Sequence, residues 1–288
     1  MEEQIKNFIQ KMTAEGLSQN TINSYSLSIK KYMEWFEQTY HLEFKHLYRE
    51  NVLEYKSYLK NIKRHGNDKL QLDAKTINRE LFALVKYNSY FGPETKIIDK
   101  NLYIKIQKSN INPTDISKKE IEQFRQKILQ SGNIFRYRDY AIATILAYSG
   151  LRISEALALK KNDINITSRQ IKISDGKGEK QRIVIINEKI VNALSSHNAH
   201  QYYRNSEYLF CNSTGKPLNR STINKAFKKY SDCITPHTLR HFYCTNALES
   251  GAFTIQEVAQ QAGHADIRTT MQYVHPKLKT MIEKADIL

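Results

Sequence analysis

A single interruption governs what this chain can fold into. The segment at 108–124, KSNINPTDISKKEIEQF, breaks a chain that before it reads as helix after helix. Pro113 restrains the residue before it from helical backbone. Asn110, Asn112, Thr114 and Asp115 are turn formers. Ser117 followed by Glu120 is a capping box that opens a new helix. A boundary here divides the chain into an N-terminal domain at 1–108, a linker at 109–116 and a C-terminal domain at 117–288. The length of 288 residues accommodates two domains at roughly 100–200 residues each.

The N-terminal part carries apolar residues at helical spacing. Ile22, Tyr25, Ile29, Tyr32, Met33 and Phe36 mark a helix from Thr21 to Glu37, with Ser18 as its N-cap. Val52, Tyr55, Tyr58, Leu59 and Ile62 mark a second, from Arg49 to Lys63. Ile77, Leu81, Leu84, Val85 and Phe91 mark a third, from Asp73 to Phe91. The C-terminal part is mixed. Tyr137–Tyr148 reads as an apolar helix stopping at Ser149-Gly150, and Arg152–Leu159 reads as another. QIKIS at 170–174 and QRIVII at 181–186 read as strands, and the Asp-Gly between them signals a hairpin. YLFC at 208–211 offers a further strand. The expected fold class is therefore mainly α with a small antiparallel β-sheet (α+β).

Lys and Arg total 44 against 29 Asp and Glu, a net charge of +15. The surplus is +5 over residues 1–112 and +10 over 113–288. Such a charge points to a polyanionic partner and argues against cationic substrates. No run of 18 apolar residues exists, so no membrane span is expected, and the amphipathic, acid-bearing start MEEQIKNFIQ reads as neither signal nor transit peptide. Cys211, Cys233 and Cys244 are too scattered for a disulfide framework and lack the pairing of a zinc site. They read as reduced thiols of a cytoplasmic protein.

Four places set chemically capable side chains beside apolar helix. In SGLRISEALAL (149–159), Glu155 shares a face with Arg152; the pair is either a surface salt bridge or a braced arginine aimed at a phosphate, which its planar fork suits. At 175–180, glycines flank Lys177 in DGKGEK, making either a solvated turn or a lysine finger that donates a proton. This is not a P-loop, since GxxxxGK-[ST] is missing. In TPHTLRH (235–241), Pro236 suits a helix start, placing His237 and Arg240 on one face. His237 and His241 have zinc-helix spacing without the metalloprotease Glu, so no metal is expected. The segment 251–276 has two helical stretches around Ala262-Gly263-His264 and superficially resembles a helix-turn-helix.

That last feature supports a rival reading, a DNA-binding regulator without chemistry. It accounts for the charge but not for Arg152 with Glu155, the lysine finger or the His-x-x-Arg helix. Together, two arginines, two histidines, a lysine and a tyrosine fit metal-free phosphoryl transfer. Arginines neutralise nonbridging oxygens, a tyrosine attacks to form a covalent ester, and histidine and lysine handle protons.

The ordered series SGLRISEAL, GKGEKQR, PHTLRH and AGHADIRTTMQYVH resembles the tyrosine recombinase (phage integrase) family, in its Xer-like and transposon-encoded forms. GLSQNTINSYSLSIKKYMEWF at 16–36 is similar to the opening of that family's helical core-binding domain. Ala262 stands where the family often has Leu, a packing change. The resemblance implies a site-specific recombinase with these roles. Tyr273 is the nucleophile that forms a 3′-phosphotyrosine, and Arg152 and Arg240 bind the scissile phosphate. Lys177 is the general acid for the 5′-oxygen. His237 assists the tyrosine's proton or the phosphate, and His264 hydrogen-bonds the phosphate. Glu155 supports this set, while His241 is structural. It further implies no ATP, metal or other cofactor, and double-stranded DNA carrying a specific site as partner. Four protomers would exchange strands through a Holliday junction. The tail 274–288 would dock on a neighbour through Met281, Ile282 and Ile287, and accessory proteins or a second recombinase are further candidate partners. A type IB topoisomerase shares the chemistry; the helical N-terminal domain favours the recombinase.

Overall fold

The computed structural model describes residues 2–61, 72–92, 102–106, 116–174, 181–201 and 205–274. Two compact units divide the chain, Met1–Asn110 and Ile111–Leu288. Most of the expected linker, up to residue 115, lies outside the described residues, as do Lys63 and Ile62 of the second expected helix.

In the first unit, α1 (Glu2–Ala14), α2 (Gln19–Tyr40), α3 (Arg49–Asn61) and α4 (Ala74–Phe91) pack together. Ser18 caps α2, its Oγ accepting from Thr21 N at 3.2 Å, and Asp73 caps α4 from Thr76 N at 2.6 Å. The core is aromatic. The fully buried Tyr32 meets Tyr55 edge-on at 5.0 Å and Phe44 edge-on at 5.7 Å between centroids, an arrangement the ring quadrupoles favour. On α4 the buried stripe differs in detail from the expected one. Tyr87 is buried while Val85 and Phe91 are half-buried, because α4 contacts α1, α2 and α3 and its inner face is set by all three. Buried Asn78 ties down the segment at 102–106, donating to Ile104 O and accepting from Ile104 N, each at 2.8 Å.

In the second unit, α6 (Arg136–Ser149) is central, buried on nearly every side and packed against α5 (Lys118–Leu129), α8 (Glu188–Ala199) and α10 (Pro236–Glu249). The Ser117–Glu120 capping box starts α5. Gly150 stops α6 in a left-handed conformation, φ +69°, and a Cβ there would lie 2.3 Å from the Tyr243 ring. The short α7 (Ile153–Ala158) follows, with Arg152 as its extended N-cap rather than its first helical residue.

The sheet is antiparallel in the order β1-β2-β3, with β1 (Ile164–Asn165), β2 (Gln170–Ser174) and β3 (Gln181–Ile185). β2 and β3 pair from Gln170↔Ile185 to Ser174↔Gln181, the hairpin geometry expected; the Asp-Gly turn itself lies outside the described residues. β1, not expected from the sequence, is only two residues long. YLFC is not a strand. It makes single bridges, Lys160↔Tyr208 and Cys211↔Pro217, because Asn212 Oδ1 collects the amides of Thr214 and Lys216 at 2.9 and 3.0 Å and curls the chain away. After α9 (Arg220–Lys228) and α10 come α11 (Ile255–Ala262) and α12 (Arg268–Met271). The expected second helix of a helix-turn-helix is thus four residues long, one turn, which does not resemble a recognition helix spanning a groove. Among the described residues, no helix is long and apolar enough to cross a membrane.

Candidate active site

The C-terminus of α11 organises the site. Its last carbonyls lack intrahelical partners and carry the negative end of the helix dipole. Arg240, from α10 and 7% exposed, donates from Nη1 to Ala262 O at 2.8 Å and to Gly150 O at 2.5 Å. Arg152 donates from Nη2 to Gly263 O at 2.7 Å. Two arginines 88 residues apart in sequence are thereby fixed beside one helix end, and Arg240 also joins it to the end of α6.

Glu155 stands between Arg152 and a third arginine. Its Oε1 accepts from Arg152 Nη1 at 3.0 Å and its Oε2 from the Arg152 backbone N–H at 2.7 Å. Arg182, on β3, grips the same carboxylate with both nitrogens, Nη1 to Oε1 at 3.0 Å and Nη2 to Oε2 at 2.9 Å. Burial pushes the Glu155 carboxyl up, but the Arg182 and Arg152 hydrogen bonds and charge outweigh it and hold the group below the usual carboxylate range. Glu155 is ionised at neutral pH.

Tyr273 follows α12 and is 7% exposed, packed with Tyr243, Cys244, Ala247, Val258 and Ala262. Burial raises its phenol to about 12, against the pull of Arg240, so the free protein holds it protonated. Two histidines flank it. The His264 ring is parallel to it, 6.2 Å away with 7° between planes, and His241 meets it obliquely at 4.9 Å. His264 is oriented by Nδ1, 2.7 Å from the buried Thr270 hydroxyl. His237 reaches the group through His241, Nε2 to Nε2 at 2.8 Å. Burial, and then nearby arginines, push His264 down to about 4; burial, His237 and Arg240 push His241 down to about 4; His237 is lowered by burial, Arg240 and Arg220. The three rings are neutral donor–acceptors at neutral pH.

The structure thus brings Arg152, Glu155, His237, Arg240, His264 and Tyr273 into one neighbourhood. Lys177 lies outside the described residues. Arg182, Gln261 and Thr270 were not anticipated, and His241, expected to be structural, touches Tyr273. For Arg182 the sequence carries no clear signal, since both faces of QRIVII are apolar; the structure puts Arg182 in phase with the buried Val184 and Ile186 and leaves Ile183 and Ile185 exposed. Among the described residues, no group of three or more His, Cys, Asp and Glu side chains is placed to hold a metal ion.

Comparison with known proteins agrees with this architecture. The Phage integrase family matches residues 115–279, and its N-terminal SAM-like domain matches residues 5–91. A TnP I resolvase of Bacillus thuringiensis is 40% identical over 291 residues, covering 98% of this chain and 99% of the relative. A tyrosine recombinase XerD of Staphylococcus saprophyticus is 30% identical over 301 residues, covering 99% and 96%. The Tn1549 transposon integrase, solved with transposon right end DNA, superposes with a TM-score of 0.70 over 99% of both chains at 18% identity, a likeness of fold. These matches define the class: a tyrosine-type site-specific recombinase, an enzyme that breaks and rejoins DNA. The chain belongs to the phage integrase family.

Proposed function

We propose that this protein recombines two copies of a specific DNA site through a 3′-phosphotyrosine at Tyr273, with resolution of joined DNA as its task. Arg152 and Arg240 hold the nonbridging oxygens of the scissile phosphate and neutralise charge as it builds. The Tyr273 oxygen attacks phosphorus and the bond to the 5′-oxygen breaks. Lys177 gives that oxygen its proton, and the tyrosine's proton leaves toward His237. His264 donates a hydrogen bond to the phosphate, and Glu155 supports Arg152. One phosphodiester is stored as another, so the reaction calls for no ATP and no obligatory metal.

Residues 1–108 would clamp DNA, joined by 109–116 to a catalytic domain at 117–288. Four protomers would act on two sites through a Holliday junction, linked by the tail after Tyr273. The setting is the cytoplasm. Resolution is favoured over integration or excision by the resolvase relative, which is aligned over nearly its whole length.

The observation that carries this reading is the convergence of His241 and His264 on the buried ring of Tyr273, with Arg240 bonded to the carbonyl of Ala262, which packs in the same cluster. The test is incubation with supercoiled plasmid carrying the flanking native DNA, in EDTA. An SDS-resistant adduct mapping to Tyr273 by mass spectrometry is expected. Tyr273→Phe should bind the DNA and form none. Operator-like binding by wild type without any adduct, even on a nicked suicide substrate, would favour a regulator instead.

A further inference from the structure

Arg182 belongs to none of the roles above, yet it is placed with care. Its side chain is 16% exposed. Both its terminal nitrogens bind Glu155, and its Nε donates to Gln261 O at 3.3 Å. Gln261 in turn brackets the backbone of β3, accepting from Ile185 N at 2.9 Å and donating to Ile185 O at 3.1 Å. The strand carrying Arg182 is therefore stitched to the helix end that holds Arg152 and Arg240.

The geometry divides labour between the two arginines on Glu155. Arg182 makes the two-point fork that fixes the plane of a carboxylate. Arg152 makes one guanidinium bond to it, at Nη1, and one to Gly263 O, and its side chain remains 45% exposed. We propose that Arg182 is a positioning residue for strand cleavage: it anchors Glu155 by a two-point ion pair, so that Glu155 steers the Arg152 guanidinium to the scissile phosphate without neutralising it. This rests on the reading of Tyr273 chemistry above.

Charge shows why the anchor matters. Among the described residues, Arg152 and Arg182 share one carboxylate while Arg240 is held by the carbonyls of Gly150 and Ala262, so these three arginines keep a positive surplus for an incoming phosphate. Without Arg182, the 15% exposed Glu155 keeps Arg152 as its ion-pair partner among the described residues. A carboxylate freed to turn can take both Arg152 nitrogens, and Arg152 is then satisfied by protein instead of phosphate.

The test uses the full chain on a nicked suicide substrate at saturating DNA, reading the single-turnover rate of adduct formation. Wild type must form the adduct; if it does not, the recombinase reading itself fails. Given that adduct, Arg182→Ala should slow its formation by about 10- to 100-fold, the loss expected for charge-assisted hydrogen bonds to a partly buried carboxylate. DNA affinity, measured with Tyr273→Phe as background, should change less than about twofold. Arg182→Lys, which keeps the charge but not the fork, should recover only part of the rate and serves also where the alanine variant folds poorly. Arg152→Ala with Arg182→Ala should be no slower than Arg152→Ala alone, because one residue acts through the other.

A substrate with sulfur at the 5′-bridging position does not require protonation of its leaving group. The Arg182→Ala defect should persist on it. Recovery on that substrate would place Arg182 with the hairpin lysine and overturn the proposal. Multiplicative losses in the double variant, or wild-type rates in Arg182→Lys and Arg182→Ala, would overturn it as well.

Discussion

His237 and His241 face each other nitrogen to nitrogen, Nε2 to Nε2 at 2.8 Å. Such a contact holds only while one nitrogen carries a hydrogen and the other a lone pair, and it fails when both are protonated. His241 is held down to about 4 by burial, His237 and Arg240, and Tyr273 packs against its ring. His264 is held down to about 4 by burial and by Arg240, Arg152 and Arg182, with Glu155 opposing.

The consequence for stability has a definite sign. A histidine depressed in the folded state binds protons more readily once unfolded, so its contribution is complete above about 6.5 and is lost as pH falls toward about 4. The unfolding temperature of wild type should decline through that window. His241→Gln and His264→Gln should each flatten the decline, since Gln keeps polar contacts and does not titrate. Parallel declines in wild type and both variants, measured by thermal unfolding, would assign the acid sensitivity elsewhere.

Gln261 supplies a second prediction. β3 ends the sheet, and the backbone groups of Ile185 would be an open edge but for the two bonds of the 8% exposed Gln261. Gln261→Ala leaves that pair without its partner and should cost about 1–3 kcal/mol. Gln260→Ala, at an exposed position on the same helix, should stay within about 0.5 kcal/mol. Urea unfolding of the two variants decides the matter; equal midpoints would remove the clamp.

Much of this was legible in the sequence because the relevant signals are local. Ser18 and the Ser117–Glu120 box cap helices by contacts within three residues. Gly150 and Pro236 mark a helix end and a helix start. The site series was legible as a resemblance spread over ordered motifs. What escaped depends on distant packing. Arg182 finds Glu155 across 27 residues and Gln261 across 79, and no spacing rule connects β3 to the end of α11. His241 meets Tyr273 just beyond α12, which ends after one turn, whereas the pattern at 251–276 suggests a longer helix there. YLFC has strand composition but no partner running alongside it, and composition alone does not provide one.

DNA binding gives a third prediction. A net charge of +15 on a protein that tracks phosphates makes affinity a counterion-release equilibrium. With Tyr273→Phe, to keep binding separate from cleavage, the logarithm of the association constant should fall linearly with that of salt, with a slope near −0.9 per phosphate contacted. Arg152→Ala in that background should reduce the slope by about one. An unchanged slope with weaker binding would mean that Arg152 does not contact phosphate in the bound state.

Two glycines with the same backbone conformation separate strain from contact. Gly251 and Gly263 both have φ +68°, a left-handed conformation that alanine adopts at a cost of about 1–2 kcal/mol. At Gly251 an added Cβ meets nothing within 4 Å; at Gly263 it would lie 2.6 Å from Arg182 Cζ and 2.7 Å from its Nη1. A guanidinium at the end of a flexible chain ordinarily gives way at little cost, but this one is pinned by Glu155 and by Gln261 O. Both substitutions should therefore lower stability by a similar backbone increment. Only Gly263→Ala should also displace the Arg182–Glu155 fork and slow adduct formation, by about tenfold if roughly one charge-assisted bond is lost. Stability is read by urea unfolding and chemistry by the single-turnover adduct rate. Equal cleavage rates in the two variants would show that Arg182 can leave its place without consequence for Arg152.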